Sequence, residues 1–89
     1  MVAIVRHDES ITVREIDGEI LVLDLRSNQI HQFNPTASFI WKRCAEGLAP
    51  QAIAAALVGE FEVDEETARR DVEETLSRFL SLNLVVELG

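Results

Sequence analysis

The chain has a single cysteine, Cys44, among its 89 residues. It can form no internal disulfide, and secreted domains of this size usually need such staples, so a reducing cytoplasmic setting is expected. Bases are scarce as well. Eight Lys and Arg stand against sixteen Asp and Glu, for a net charge of −8. A nucleic-acid binder needs a clustered basic surface to neutralise phosphates, whereas these bases are thinly spread and mostly lie beside acids. No apolar run approaches the roughly 18 residues of a membrane span, and Met1 to Ser10 lacks the apolar core of a signal peptide. A GxSxG elbow, a P-loop and a GxGxxG fingerprint are all missing. His7 and His31 have no zinc-like spacing with Cys44, which falls instead on an apolar helical stripe. With no convergent reactive groups, no catalytic residue, metal site or cofactor is assigned, and an enzyme acting alone ranks last.

Nearly half of the residues are apolar and about a quarter charged (47% and 27%), the profile of an ordinary globular domain. The length suits one hydrophobic core, and no linker, repeat or low-complexity tract divides it. Residues 1–89 are therefore read as one domain, with residues 1–10 loose. So small a domain buries a modest share of its surface, which favours a life in complexes.

Residues 11–33 carry strand signals. Ile11 to Ile16 is rich in β-branched residues, and Asp17-Gly18 is a hairpin turn signal. In the second strand Leu21, Leu23 and Leu25 share one face, and Ile20 and Val22 share the other with Asp24. Apolar residues on both sides call for cover on both. The polar turn Arg26 to Gln29 leads into a brief third strand, Ile30 to Phe33.

At Asn34-Pro35 the apolar period lengthens to a helical one, with Asn34 as N-cap and Pro35 in the first turn. Ala37, Ile40, Trp41 and Cys44 fall on one stripe, and Gly47 is the natural stop. A second helix begins near Pro50 and runs through the alanines to Val58. Asp64 caps a third, with Glu65 and Glu66 in its positive first turn and Val63 and Ala68 spaced for a staple. Its stripe is Ala68, Val72, Leu76 and Phe79, with Leu80 far enough round to need a second neighbour. Its carboxylates, interlaced with Arg69, Arg70 and Arg78, read as a solvated face rather than as acid–base machinery. Asn83 ends it, and Leu84 to Leu88 form an extended tail. The fold class is α+β: a three-stranded antiparallel sheet followed by a three-helix bundle, βββααα, winged-helix-like in layout.

The third strand is short, polar at His31 and Gln32, and placed at a sheet edge. Such an edge offers unpaired N–H and C=O groups to an extended peptide, with pockets nearby for specificity. Equally, the tail at Leu84–Leu88 could cover it, and periodicity leaves both readings open.

The order Asp17-Gly18-Glu19-Ile20-Leu21-Val22-Leu23-Asp24, then Ile30-His31-Gln32-Phe33-Asn34-Pro35-Thr36-Ala37-Ser38-Phe39-Ile40-Trp41, resembles the PqqD-like family. Ile53 with Leu57, then Phe61-Glu62-Val63-Asp64, and finally Ala68-Arg69-Arg70-Asp71-Val72 with Phe79-Leu80 and Asn83-Leu84-Val85 extend the likeness over residues 11 to 86. The Asn34-Pro35-Thr36-Ala37 and Trp41 pattern is more similar to free-standing relatives from lasso-peptide and other peptide-modifying systems than to members serving pyrroloquinoline quinone synthesis. The resemblance implies a recognition element that binds the leader of a ribosomally made precursor peptide as an added strand and presents it to a modifying enzyme. It places the strand edge at Ile30, His31, Gln32 and Phe33, packed against the third helix, although Phe33 can also point into the core; the offset of Leu80, rather than the resemblance, puts the facing helix side among Arg69, Val72, Glu73, Leu76 and Leu80.

The implied partners are a leader peptide and a peptide-modifying enzyme, with no nucleic acid and no membrane. A homodimer made by exchanging strands or helices is compatible with the sequence. Two rivals remain: a structural subunit whose groove is permanently filled by a larger enzyme, and, less favoured, a winged-helix DNA binder, which the acid-rich third helix opposes.

Overall fold

The computed structural model describes residues 2–6 and 9–88; His7, one of the two histidines weighed above, lies outside them. The elements run β1 (Val2–Val5), β2 (Ile11–Ile16), β3 (Glu19–Asp24), β4 (Gln29–Gln32), α1 (Pro35–Ala45), α2 (Pro50–Glu60), α3 (Glu65–Ser81) and β5 (Val85–Leu88). The predicted three-stranded sheet forms with order β2-β3-β4, all antiparallel, and three helices follow it. No described helix is long and apolar enough to cross a membrane.

Local chemistry accounts for the boundaries. Asp17 and Gly18 both take positive φ (52° and 83°), as a two-residue hairpin turn closing Ile16 onto Glu19 requires. The Asn34 side chain accepts the Ala37 N–H at 2.8 Å, and that of Asp64 accepts the Thr67 N–H at 2.7 Å. Gly47 ends α1 in the left-handed region, its N–H donating to the Cys44 carbonyl and that of Leu48 to the Arg43 carbonyl. Asn83 does the same for α3 at φ 59°, with Asn83 N–H to Leu80 and Leu84 N–H to Phe79.

The core lies between the helices and one sheet face. Phe33, Trp41 and Phe79 form its aromatic centre, with ring centroids 4.9–5.5 Å apart. Ile40, Ile53, Leu57, Val72 and Leu84 are buried around them. Cys44 is buried in this cluster, and burial pushes its thiol pKa up.

Three sequence readings are revised. The sequence reading has residues 1–10 loose and leaves open whether the extended tail Leu84–Leu88 covers the sheet edge. Instead Val2–Val5 pairs antiparallel with Val85–Leu88 as a second, two-stranded sheet. Val5 and Val85 are both buried, so burial supplies the drive. The tail is thereby occupied and leaves β4 uncovered. The sheet, furthermore, is covered on one face only. The inward face is Ile20, Val22 and Asp24; the all-leucine face has Leu21 and Leu23 half-buried and Leu25 exposed. Ser38 on α1 selects the side: its Oγ accepts the Ile20 N–H at 2.8 Å and donates to the Phe33 carbonyl at 3.3 Å. That buried hydroxyl ties α1 to the Ile20 and Phe33 side of the sheet.

Asp24 thus faces inward as a carboxylate, and Arg26 compensates it. The Arg26 N–H and Nε donate to Oδ1 at 3.0 and 3.2 Å, and Nη2 to Oδ2 at 3.2 Å. These bonds, the side-chain ones foremost, lower the Asp24 pKa from 3.8 to about 2. A group depressed on folding stabilises the fold fully above its unfolded pKa and loses that contribution as pH falls through the folded one. Thermal unfolding midpoints should therefore drop between about pH 4 and pH 2. Asp24→Asn should flatten part of that drop, leaving the share due to Asp64, whose pKa is also lowered by the Thr67 N–H. Midpoints measured across this range check it, and parallel curves for the two proteins would refute it.

Candidate functional site

β4, the third strand of the sequence reading, is an edge strand. The Phe33 N–H donates to the Ile20 carbonyl at 2.9 Å, which fixes the ladder's phase. Bonded and non-bonded pairs alternate in an antiparallel ladder, so His31 and Gln29 direct their backbone groups at β3. Ile30 and Gln32 direct theirs outward. The open edge is accordingly the N–H and C=O of those two residues.

The four predicted strand residues divide by face. Ile30 and Gln32 lie exposed on the outer side. His31 is half-buried and lines a polar hollow with Asp24, Arg26 and, at the last turn of α3, Ser81, Leu82 and Asn83. Phe33 points into the core at 7% exposure, so its side chain cannot meet a ligand at the edge. It stacks on Phe79 with centroids 4.9 Å apart, which anchors β4 to α3 beside Leu80.

The five predicted helix residues come together. Arg69, Val72, Glu73, Leu76 and Leu80 line one groove of about 570 Å³ along α3. Val72 and Leu76 form its buried floor, Leu80 is half-buried, and Arg69 and Glu73 are exposed on the wall. Sequence reasoning missed Ser77, although its helical position next to Glu73 and Leu80 could have revealed it. It also missed Pro50 and Gln51, which α2 contributes through tertiary packing that leaves no local signal. None of the strand residues lines this groove; the two halves of the site meet through α3.

An open strand edge and an apolar groove on the helix to which that strand's end is anchored can hold an extended peptide by main-chain bonds and take its side chains into pockets. Comparison with known proteins bears on which one. The family model of coenzyme PQQ synthesis protein D (PqqD) matches residues 19–85. The chain belongs to the PqqD family. Two solved structures resemble this PqqD-family domain over most of its length. One is TbiB1 in complex with the TbiA(beta) leader peptide, at 26% identity and TM-score 0.82, covering 92% of this chain and 95% of that one. The other is a lasso peptide synthetase B1 complexed with the leader peptide, at 29% identity and TM-score 0.81, covering 92% and 96%. No curated protein gives a significant match.

Proposed function

We propose that this domain binds the leader segment of a ribosomally made precursor peptide and presents it to a separate modifying enzyme. The leader adds as a strand to the Ile30–Gln32 edge, and its side chains enter the groove over Val72, Leu76 and Leu80. The observation that carries this is the uncovered β4 edge anchored to a groove-bearing α3. The likeness to two structures with leader peptides supports it. Presentation to an enzyme needs a second surface, and the outer sheet face supplies one: Ile16, Leu25 and Ile30 are 59%, 61% and 67% exposed there. The domain itself contributes binding and no bond-making chemistry.

Titration with synthetic N-terminal segments of the short reading frames encoded beside this protein tests the reading. One segment should bind saturably at micromolar affinity or better. Leu80→Asp, which places a charge on the groove wall and removes its apolar contact, should weaken that binding by roughly thirtyfold, for about 2 kcal/mol lost. Its far-ultraviolet circular dichroism should match wild type. Failure of every segment to bind, with a neighbouring enzyme still copurifying in high salt, would make the domain a permanent structural subunit instead.

A further inference from the structure

Charge on the groove wall narrows the kind of peptide it takes. Acids outnumber bases two to one, sixteen to eight, and several of the bases are held by other groups. Arg26 pairs with Asp24, Lys42 with Glu15 and Arg43 with Glu46. Arg6 donates to the Asn83 carbonyl, and Arg70 acts on Asp64. Arg69 is not held in this way: among the described residues its side chain has no ion-pair or hydrogen-bond partner, as is also true of Arg14 and Arg78, and neither has that of Glu73 one turn on. The two are four residues apart on one helix face, yet they do not neutralise each other. Their order, base before acid, is the weaker one for such a pair. Both line the groove, above an apolar floor. The groove also meets Pro50 and Gln51 in the first turn of α2, whose N-terminal end adds positive potential to it.

The spacing is informative. Four residues of α-helix rise about 6 Å. Alternate residues of an extended chain are about 6.7 Å apart and point the same way. The groove runs along α3 from Arg69 to Leu80, about 16 Å, so an extended peptide lying in it would match one helical turn with every second side chain.

We propose that the groove reads charge order: an acidic side chain against Arg69, a basic one two residues away against Glu73, and a bulky apolar one beyond them between Leu76 and Leu80. This inference rests on the leader-binding reading and deepens it by naming the chemistry of the segment. A leader apolar at those two positions would cover both charges with nothing to offset the desolvation.

Selection from a random-peptide display library, run on the wild-type domain and on Arg69→Glu, tests it. The wild type should enrich peptides with an acid and a base two residues apart beside an apolar residue. Arg69→Glu should exchange the acid for a base in its own selected peptides and bind the wild-type winners on the order of tenfold more weakly. Arg69→Lys should retain the acid preference. Peptides that enrich strongly and compete with one another, yet show no charge preference or the same preference with Arg69→Glu, would overturn the charge-order inference and leave leader binding intact. Failure of the wild type to enrich any peptide would overturn both. Arg69 is exposed, so circular dichroism should find its variants folded.

Discussion

Gln32→Pro will abolish leader binding and leave the domain folded. The ladder phase set by Phe33 turns the Gln32 N–H away from β3, so proline there removes no bond of the existing sheet. An edge strand with its N–H facing solvent is where proline is tolerated, and His31 already has the extended backbone that a following proline demands. An added strand, by contrast, would meet a missing donor and the bulk of the ring. One carbonyl of the leader would lose its partner on becoming buried, at about 1–3 kcal/mol, and displacement of the neighbouring bonds would add to that. Affinity should fall by roughly a hundredfold or more. Gln32→Ala keeps the N–H and should bind almost normally, which separates main-chain pairing from any contact of the glutamine side chain. Calorimetric titration of the three proteins against one leader measures this. Equal affinities for wild type and Gln32→Pro would move the peptide off this edge.

The outward Gln32 N–H was within reach of sequence reasoning only in part. Hairpin chemistry at Asp17-Gly18 and caps at Asn34 and Asp64 are local, and the structure has each where the residues indicate. The α3 stripe was equally legible, because a 3.6-residue period singles out one face. The five groove residues followed from that stripe, from the offset of Leu80 and from the family resemblance. A period of two is less decisive. It left β3 with an all-leucine face and an Ile20–Val22–Asp24 face, both calling for cover, whereas only the second is deeply buried. Ser38, far along the chain, settles the matter through its bonds to Ile20 and Phe33. Asp24 shows the same limit: its inward placement needs Arg26, whose relevance depends on the turn bringing it back. Pairing of β1 with β5 is the longest-range feature, joining residues near the two ends, and no local pattern announces it.

Trp41→Ala will destabilise the domain by about 3–5 kcal/mol, more than any change on the groove wall. The indole is 3% exposed, 5.5 Å from the Phe33 ring and edge-on to Phe79 at 5.3 Å. Truncation loses the burial of the largest side chain in the core, leaves a cavity among close-packed neighbours, and removes two aromatic contacts of about 0.5–1.5 kcal/mol each. A chain of this size has about 5–13 kcal/mol in all, so a substantial part of its stability would go. The location gives the loss a functional consequence. Phe33 closes β4, Trp41 belongs to α1 and Phe79 to α3, so this triad joins the strand edge to the helix that bears the groove. Trp41→Ala should therefore weaken leader binding indirectly, through a smaller folded fraction and a looser strand–helix junction. Saturating leader should raise its midpoint, because a ligand that binds only the folded state stabilises it by mass action. Urea denaturation with and without leader tests both statements. A loss below about 1 kcal/mol would mean that Trp41 is not a core residue. A midpoint unmoved by saturating leader would mean that the peptide does not depend on the folded junction.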